Sequence, residues 1–170
     1  GEKGWIPISG NFVDAKDIAT HWPTYQEAAN KVGKQPTYQK WRVGRSVLIT
    51  SSNSEAEEIL DDPKGVFSHY FLYLNTVSKL ASGTLSKDIN LKKDLPEAMK
   101  KANDLIIIGN KKTVTEKLVS FIEKVGPFGT LLLTGHDIGD SKKLWKNSFS
   151  EMATSIQPVL NKYISQKYIN

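Results

Sequence analysis

The sequence predicts an α/β fold in which parallel strands are joined by helical crossovers. Three observations carry that prediction. Short apolar runs alternate with amphipathic helical stripes along the whole of the 170 residues, the order expected of strand–crossover–strand units. The stretch Asp104–Asp140 contains one such unit complete: an apolar run Leu105–Ile108 closed by Gly109, a helical stripe, a Gly126–Pro127 stop and a second run Leu131–Leu133. That second run is continuous rather than alternating, which predicts a strand covered on both faces.

In order along the chain, Gly4–Ser9 reads as a strand end or edge, because Pro7 cannot donate to a ladder. The turn Ser9-Gly10-Asn11 after it is either plain turn chemistry or a polar strand-end site facing a ligand. Asp14–Lys34 has its apolar residues at helical spacing, with a kink or restart expected at Pro23 and a C-cap at Gly33. His21, beside Trp22, reads as a surface histidine, with a pocket-lining residue as the alternative. Trp41–Thr50 is the clearest strand: Trp41, Val43, Arg45, Val47 and Ile49 share one face, and Arg42, Gly44, Ser46, Leu48 and Thr50 the other. Arg45 on a mostly apolar face requires a partner, expected to be a core carboxylate, with an anionic ligand as the alternative.

Glu55–Leu60 starts a helix, and Asp62-Pro63-Lys64-Gly65 breaks it. Val66, Phe67, Tyr70, Phe71, Leu74, Val77 and Leu80 then form a wide apolar face that reads as core or as the roof of a pocket. Residues 82–93 read as a long mobile loop. Asp94 and Glu97 have capping-box spacing for a short helix through Ala102, as do Thr113 and Glu116 for the next. Val114, Leu118, Val119, Ile122 and Val125 form that helix's stripe. Ser141 caps a long last helix, which Pro158 should bend.

The composition excludes several classes. The net charge of +5 comes from scattered lysine pairs without interleaved aromatics, so no nucleic acid is expected as partner. The chain has no cysteine, hence no disulfide, thiol nucleophile or thiolate metal site. No apolar run is long enough to span a membrane and no signal peptide is visible, so a cytoplasmic location is expected. His21, His69 and His136 lack metal-ligand spacing, and no nucleophile elbow, dinucleotide fingerprint or Walker loop is present. Gly109–Thr113 opens a helix and could cradle phosphate, but holds too little glycine for a nucleotide loop. The clear strands, near residues 6, 46 and 131, bury little by themselves. The sequence therefore reads as part of a larger α/β body with strands missing before residue 1, the beginning cut or processed since it carries no methionine.

Three stretches together resemble the luciferase-like flavin-dependent monooxygenases, relatives of bacterial luciferase and of alkane and limonene monooxygenases. They are GWIPIS with the following His21-Trp22 and Tyr25; WRVGRSVLIT with Ser54-Glu55-Ala56-Glu57; and IIIGNKKTVTEKL with VGPFGTLLLTGHD, then Trp145, Ser148 and Gln157–Leu160. The resemblance covers almost the whole chain through order and spacing. It implies the C-terminal portion of a (β/α)8 TIM barrel, about strands six to eight with their helices, as a single incomplete domain over residues 1–170. Residues 59–103 would be the excursion that carries the family's flexible loop.

The resemblance further implies reduced FMN and O2, a small hydrophobic organic substrate and a separate flavin reductase. Ile8 and Ser9 match positions that approach the flavin ring, with Trp22 and the turn after Leu133 as weaker candidates for the pocket rim. The family's catalytic histidine and main phosphate-binding run fall outside the matched part. No catalytic residue and no metal ligand is therefore assigned. The isolated chain is expected not to retain flavin or to be active unless completed by the missing half or a second copy. A non-enzymatic remnant or self-associating module is the alternative.

Overall fold

The computed structural model describes residues 1–84, 90–136 and 141–168. Its centre is β2 (Arg42–Ile49), against which every other strand is laid in parallel. β1 (Ile8–Ser9) pairs with the start of β2, Ile8 opposite Arg42 and Ser9 opposite Val43. β4 (Thr130–Thr134) runs along its other edge from Arg42–Thr130 to Ser46–Thr134. β3 (Ile107–Gly109) pairs with the end of β2, Val47–Ile49. This is the parallel α/β architecture read from the sequence. Among the described residues the outer edges of β1 and β4 have no strand partner.

The helices form where the stripes and caps place them, with informative shifts. α1 (Ala15–Asn30) runs through Pro23 without a break, correcting the expected restart. Its C-terminus is closed by Gly33 at φ +73°: Lys34 N–H donates to Ala29 C=O and Gly33 N–H to Asn30 C=O, a Schellman motif. α2 (Asn53–Asp61) is capped by Ser52, whose hydroxyl accepts from Glu55 N–H, while the Glu55 carboxylate accepts from Ser51 N–H. α3 is Val66–Ala81. α4 (Leu91–Leu105) starts three residues before the expected cap; Asp94 instead accepts from Asn90 N–H one turn back. α5 (Lys111–Val125) is capped by Asn110, whose side-chain oxygen accepts from Thr113 N–H, so Thr113 lies inside the helix. It ends at Gly126, φ +90°, as the sequence indicated.

α6 (Lys142–Glu151) and α7 (Gln157–Tyr168) are joined by a π-helical turn, Met152–Ile156. Pro158 has no N–H to offer the turn before it, and the widened turn just upstream absorbs that loss. Residues 85–89 and 137–140 lie outside the described residues, and with them the middle of the expected 82–93 loop and Asp137 of the strand-end turn. The end of that loop is corrected, since residues 91–93 form the first turn of α4.

Side-chain alternation on β2 divides the interior into two cores. Trp41, Val43, Val47 and Ile49 point toward α1, α5 and α7 and join Ile18, Val114, Leu118, Phe121, Ile122 and Leu160. Leu48 points the other way and joins Ile108 with Phe67 and Phe71 of α3 and Ala98 and Ala102 of α4. This second cover reaches only the carboxyl half of the sheet. On the amino half the same face is bare at the outer strands, where Ile8 is 61% and Leu132 37% exposed, while Gly44 between them lies buried beneath the turn that leaves β1. The continuous apolar run of β4 is thus covered on one face by Leu131 and Leu133, not on both. The pattern predicted a covered face that the described residues do not supply.

Arg45 is 2% exposed and has no ion pair among the described residues, where main-chain carbonyls stand in place of the expected carboxylate. Its Nη1 donates to the main-chain oxygens of Asn11 and Val13, 3.2 and 3.0 Å, and its guanidinium lies 4.3 Å over the Phe121 ring. Burial pulls its pKa down to about 10, opposed by the charge of Asp14, so it stays a cation at neutral pH. An isosteric apolar chain would keep the packing without the desolvation cost. Arg45→Met is expected within about 1 kcal/mol of the parent in urea unfolding, and Arg45→Ala lower by about 2–4 kcal/mol, the packing and both carbonyl partners being lost.

Candidate functional site

The bare face of the sheet and the strand ends above it form the candidate site. Three consecutive residues of β2 build it by holding the turn that leaves β1. Gly44 has no side chain, and a Cβ there would sit 3.2 Å from both Ser9 O and Asn11 N, so any larger residue would push this turn away by a few tenths of an ångström. Arg45 grips the turn's carbonyls from the opposite face. Ser46, next on the open face, receives the result: Asn11 Nδ2 donates to Ser46 Oγ at 3.2 Å.

The end of β4 completes the group. Thr134 is in register with Ser46, and two residues on, His136 Nε2 lies 2.8 Å from Ser46 Oγ. The imidazole stands edge-on between the rings of Phe67 and Tyr70 of α3, with centroids 5.1 and 4.6 Å away. Burial among these groups lowers its pKa, so at neutral pH it is uncharged. Asn11 and His136 thus come from the turns that follow β1 and β4 and meet at Ser46, in the middle of β2, toward the carboxyl side of the sheet, where α/β folds bind ligands.

The sequence-based candidates divide by face. Ile8 shares the open face with Gly44 and Ser46, as its register with Arg42 requires. Ser9 points the other way and is 2% exposed; its hydroxyl accepts from Trp41 Nε1 at 2.9 Å and lies 2.8 Å from His21 Nδ1. His21 is therefore a half-buried tie between α1 and β1, not a free surface group. Trp22 stacks on Trp41 and Tyr25, also on the helix side. Asn11 and His136 lay in the two polar strand-end turns singled out by sequence. Ser46 was missed, and the signal was its place on the less apolar face of β2, one alternation after Gly44.

The Gly109–Thr113 segment opens a separate cavity of about 890 Å³ with Thr50, Lys143 and Asn147. Lys111 there is paired with Glu151 at 2.8 Å, and Asn110 already serves the first turn of α5.

Parallel strands around β2, helices on the outer face and a polar group toward the carboxyl side are the features of a sector of a (β/α)8 barrel. The comparisons with known proteins give the same class. No family model matches the chain. It is 26% identical over 160 residues to 3,6-diketocamphane 1,6-monooxygenase of Pseudomonas putida, covering 93% of this chain and 42% of that protein. The solved oxygenating constituent of 3,6-diketocamphane monooxygenase from Pseudomonas putida, described as a type II Baeyer-Villiger monooxygenase in complex with FMN, superposes with a TM-score of 0.68 at 24% identity, over 92% of this chain and 43% of that one. The coenzyme F420 dependent tetrahydromethanopterin reductase of Methanopyrus kandleri shares the fold at TM-score 0.52 and 14% identity, over 85% and 42% of the two chains. The luciferase-like resemblance read in the sequence holds: the chain's relatives are diketocamphane monooxygenases, and it spans about two fifths of the length of the relative it matches, 42%. No described helix is long and apolar enough to cross a membrane.

Proposed function

We propose that this chain forms one sector of a flavin-dependent monooxygenase site that uses reduced FMN and O2 to oxygenate a small hydrophobic ketone. A separate flavin reductase would supply the reduced flavin. The observation that carries the reading is the bare sheet face with the Asn11–Ser46–His136 group at its rim. A flat, largely apolar ring with polar edges suits such a surface. Ile8 would offer its exposed side chain to the flavin, and Ser9 its main chain, since its hydroxyl is committed to Trp41 and His21. The unpaired edges of β1 and β4 would be closed by further barrel strands. When bound, FMN would supply the oxygen-activating chemistry; the residues here would seat it, exclude water and hold the substrate.

The test compares FMN binding, followed by flavin fluorescence, in two proteins. One is the 170-residue chain; the other is a chimaera in which the chain replaces the matching segment of the 3,6-diketocamphane relative. The chain alone is expected not to bind FMN stoichiometrically, and the folded chimaera to bind it. Stoichiometric binding by the chain alone sinks the sector reading, and so does a folded chimaera that leaves FMN free. The second reading, a self-associating module without catalysis, rests on the same open edges and on the exposure of Ile8 and Leu132. Light scattering over a wide concentration range distinguishes it, because a dimer that buries the bare face should persist on dilution.

A further inference from the structure

We propose that His136 acts as a neutral hydrogen-bond donor, through Nδ1–H, to a carbonyl oxygen of a ligand lying on the bare sheet face, with Asn11 and Ser46 setting its tautomer. The proposal rests on the function proposed above and goes on to assign a polar contact within it.

The argument is an accounting of protons. Ser46 is 1% exposed, so its hydroxyl hydrogen must find an acceptor inside the protein. Its oxygen has two partners among the described residues, Asn11 Nδ2 and His136 Nε2. Asn11 Nδ2 can only donate. If His136 Nε2 also carried a hydrogen, Ser46 would receive two and have nowhere to send its own. A buried hydroxyl so stranded is disfavoured. Ser46 therefore donates to Nε2, and the neutral ring carries its hydrogen on Nδ1.

Among the described residues Nδ1 has no hydrogen-bond partner. The ring is half-buried, fixed edge-on by Phe67 and Tyr70, and joined to the open face through Ser46. A fixed, uncharged N–H at the end of a barrel strand fits a carbonyl oxygen. It would bind that oxygen more strongly as negative charge grows on it, the behaviour of an oxyanion-stabilising donor. Two sources offer this acceptor: the ketone substrate and the carbonyl edge of the flavin ring. In this arrangement His136 touches the ligand, while Ser46 and Asn11 are positioning residues.

The test reads His136 directly by long-range ¹H–¹⁵N correlation in the labelled chain and in the chimaera, with exposed His69 as internal reference. At neutral pH His136 is expected to show the Nδ1–H tautomer and to titrate below the ordinary imidazole value of 6.5. In Ser46→Ala the Nε2–H share is expected to rise several-fold and the titration to move up, because the hydrogen bond favouring the neutral ring is gone. A predominant Nε2–H tautomer in the parent, or one unchanged by Ser46→Ala, overturns the proposal.

The ligand arms use 3,6-diketocamphane and FMN separately at saturating concentration. A displaced Nδ1–H signal with the diketone assigns the substrate carbonyl, and with FMN the flavin carbonyl. No displacement with either in the chimaera overturns the proposal. A chimaera that binds FMN while His136 does not respond to either ligand refutes this inference alone. A chimaera that leaves FMN free while the diketone moves Nδ1–H refutes the flavin reading alone.

Discussion

Gly129→Ala is expected to remove β4 from the sheet. A Cβ at this position would land on the main-chain carbonyl of Gln39, and two further backbone atoms of Gln39 crowd it. Backbone cannot swing aside as the tip of a side chain can, so the turn before β2 and the start of β4 must separate. That junction is where the strands are stitched together: Gly129 N–H and Thr130 N–H both donate to Trp41 C=O, at 3.0 and 3.2 Å. The loss should exceed the ~1–3 kcal/mol of ordinary overpacking, a large share of a typical total near 5–15 kcal/mol. Urea unfolding should show a much lower midpoint, and amide exchange at Leu131–Leu133 should become fast. Gly126→Ala is the control. It has φ +90° and ψ 179° but nothing within 4 Å of the added carbon, so only the local backbone cost of this glycine-only region, about 1–3 kcal/mol, applies. Equal midpoints for the two variants would refute the close approach of residues 39 and 129.

The reach of sequence reasoning follows from what each signal encodes. Stop signals were legible because they are local: Gly33 and Gly126 end helices by a backbone geometry that glycine alone adopts cheaply. Start signals were less so. Thr113 and Asp94 have capping-box spacing, yet Asn110 and Asn90 open α5 and α4, since a helix takes whichever cap lets its apolar stripe face the core. The continuous run Leu131–Leu133 reported that apolar residues fill both faces of β4. It could not report that the described residues cover only one of them. Arg45 shows a further limit. Burial of a charge demands partners, and sequence favoured a carboxylate. Two carbonyls and the Phe121 ring answer the demand instead, and none of these carries a sequence signature. In the candidate site, the turns containing Asn11 and His136 were recognisable as polar strand ends. Their meeting at Ser46 depends on the β2–β4 register and on Gly44, which only the fold sets.

Phe67→Ala should be the most damaging side-chain truncation near the site, and it separates packing from site chemistry. Phe67 is fully buried, stands at the start of α3 beside Phe71, and closes one side of the His136 ring. Removing so much buried carbon leaves a cavity between α3 and the carboxyl half of the sheet, at a cost of about 3–5 kcal/mol. The same cavity lets water reach the imidazole. The depressed pKa of His136 arises from desolvation, so hydration should raise it toward the ordinary value of 6.5. Phe67→Leu refills most of the volume and keeps the ring dry, so it should recover most of the stability and of the low titration point. Tyr70→Phe removes a hydroxyl without opening space and should change neither. Stability from urea midpoints and His136 titration by NMR should therefore move together across Ala, Leu and the parent at position 67. A Phe67→Ala variant whose histidine still titrates as in the parent would show that the ring is kept neutral by Ser46 alone, and that the aromatic wall has only a packing role.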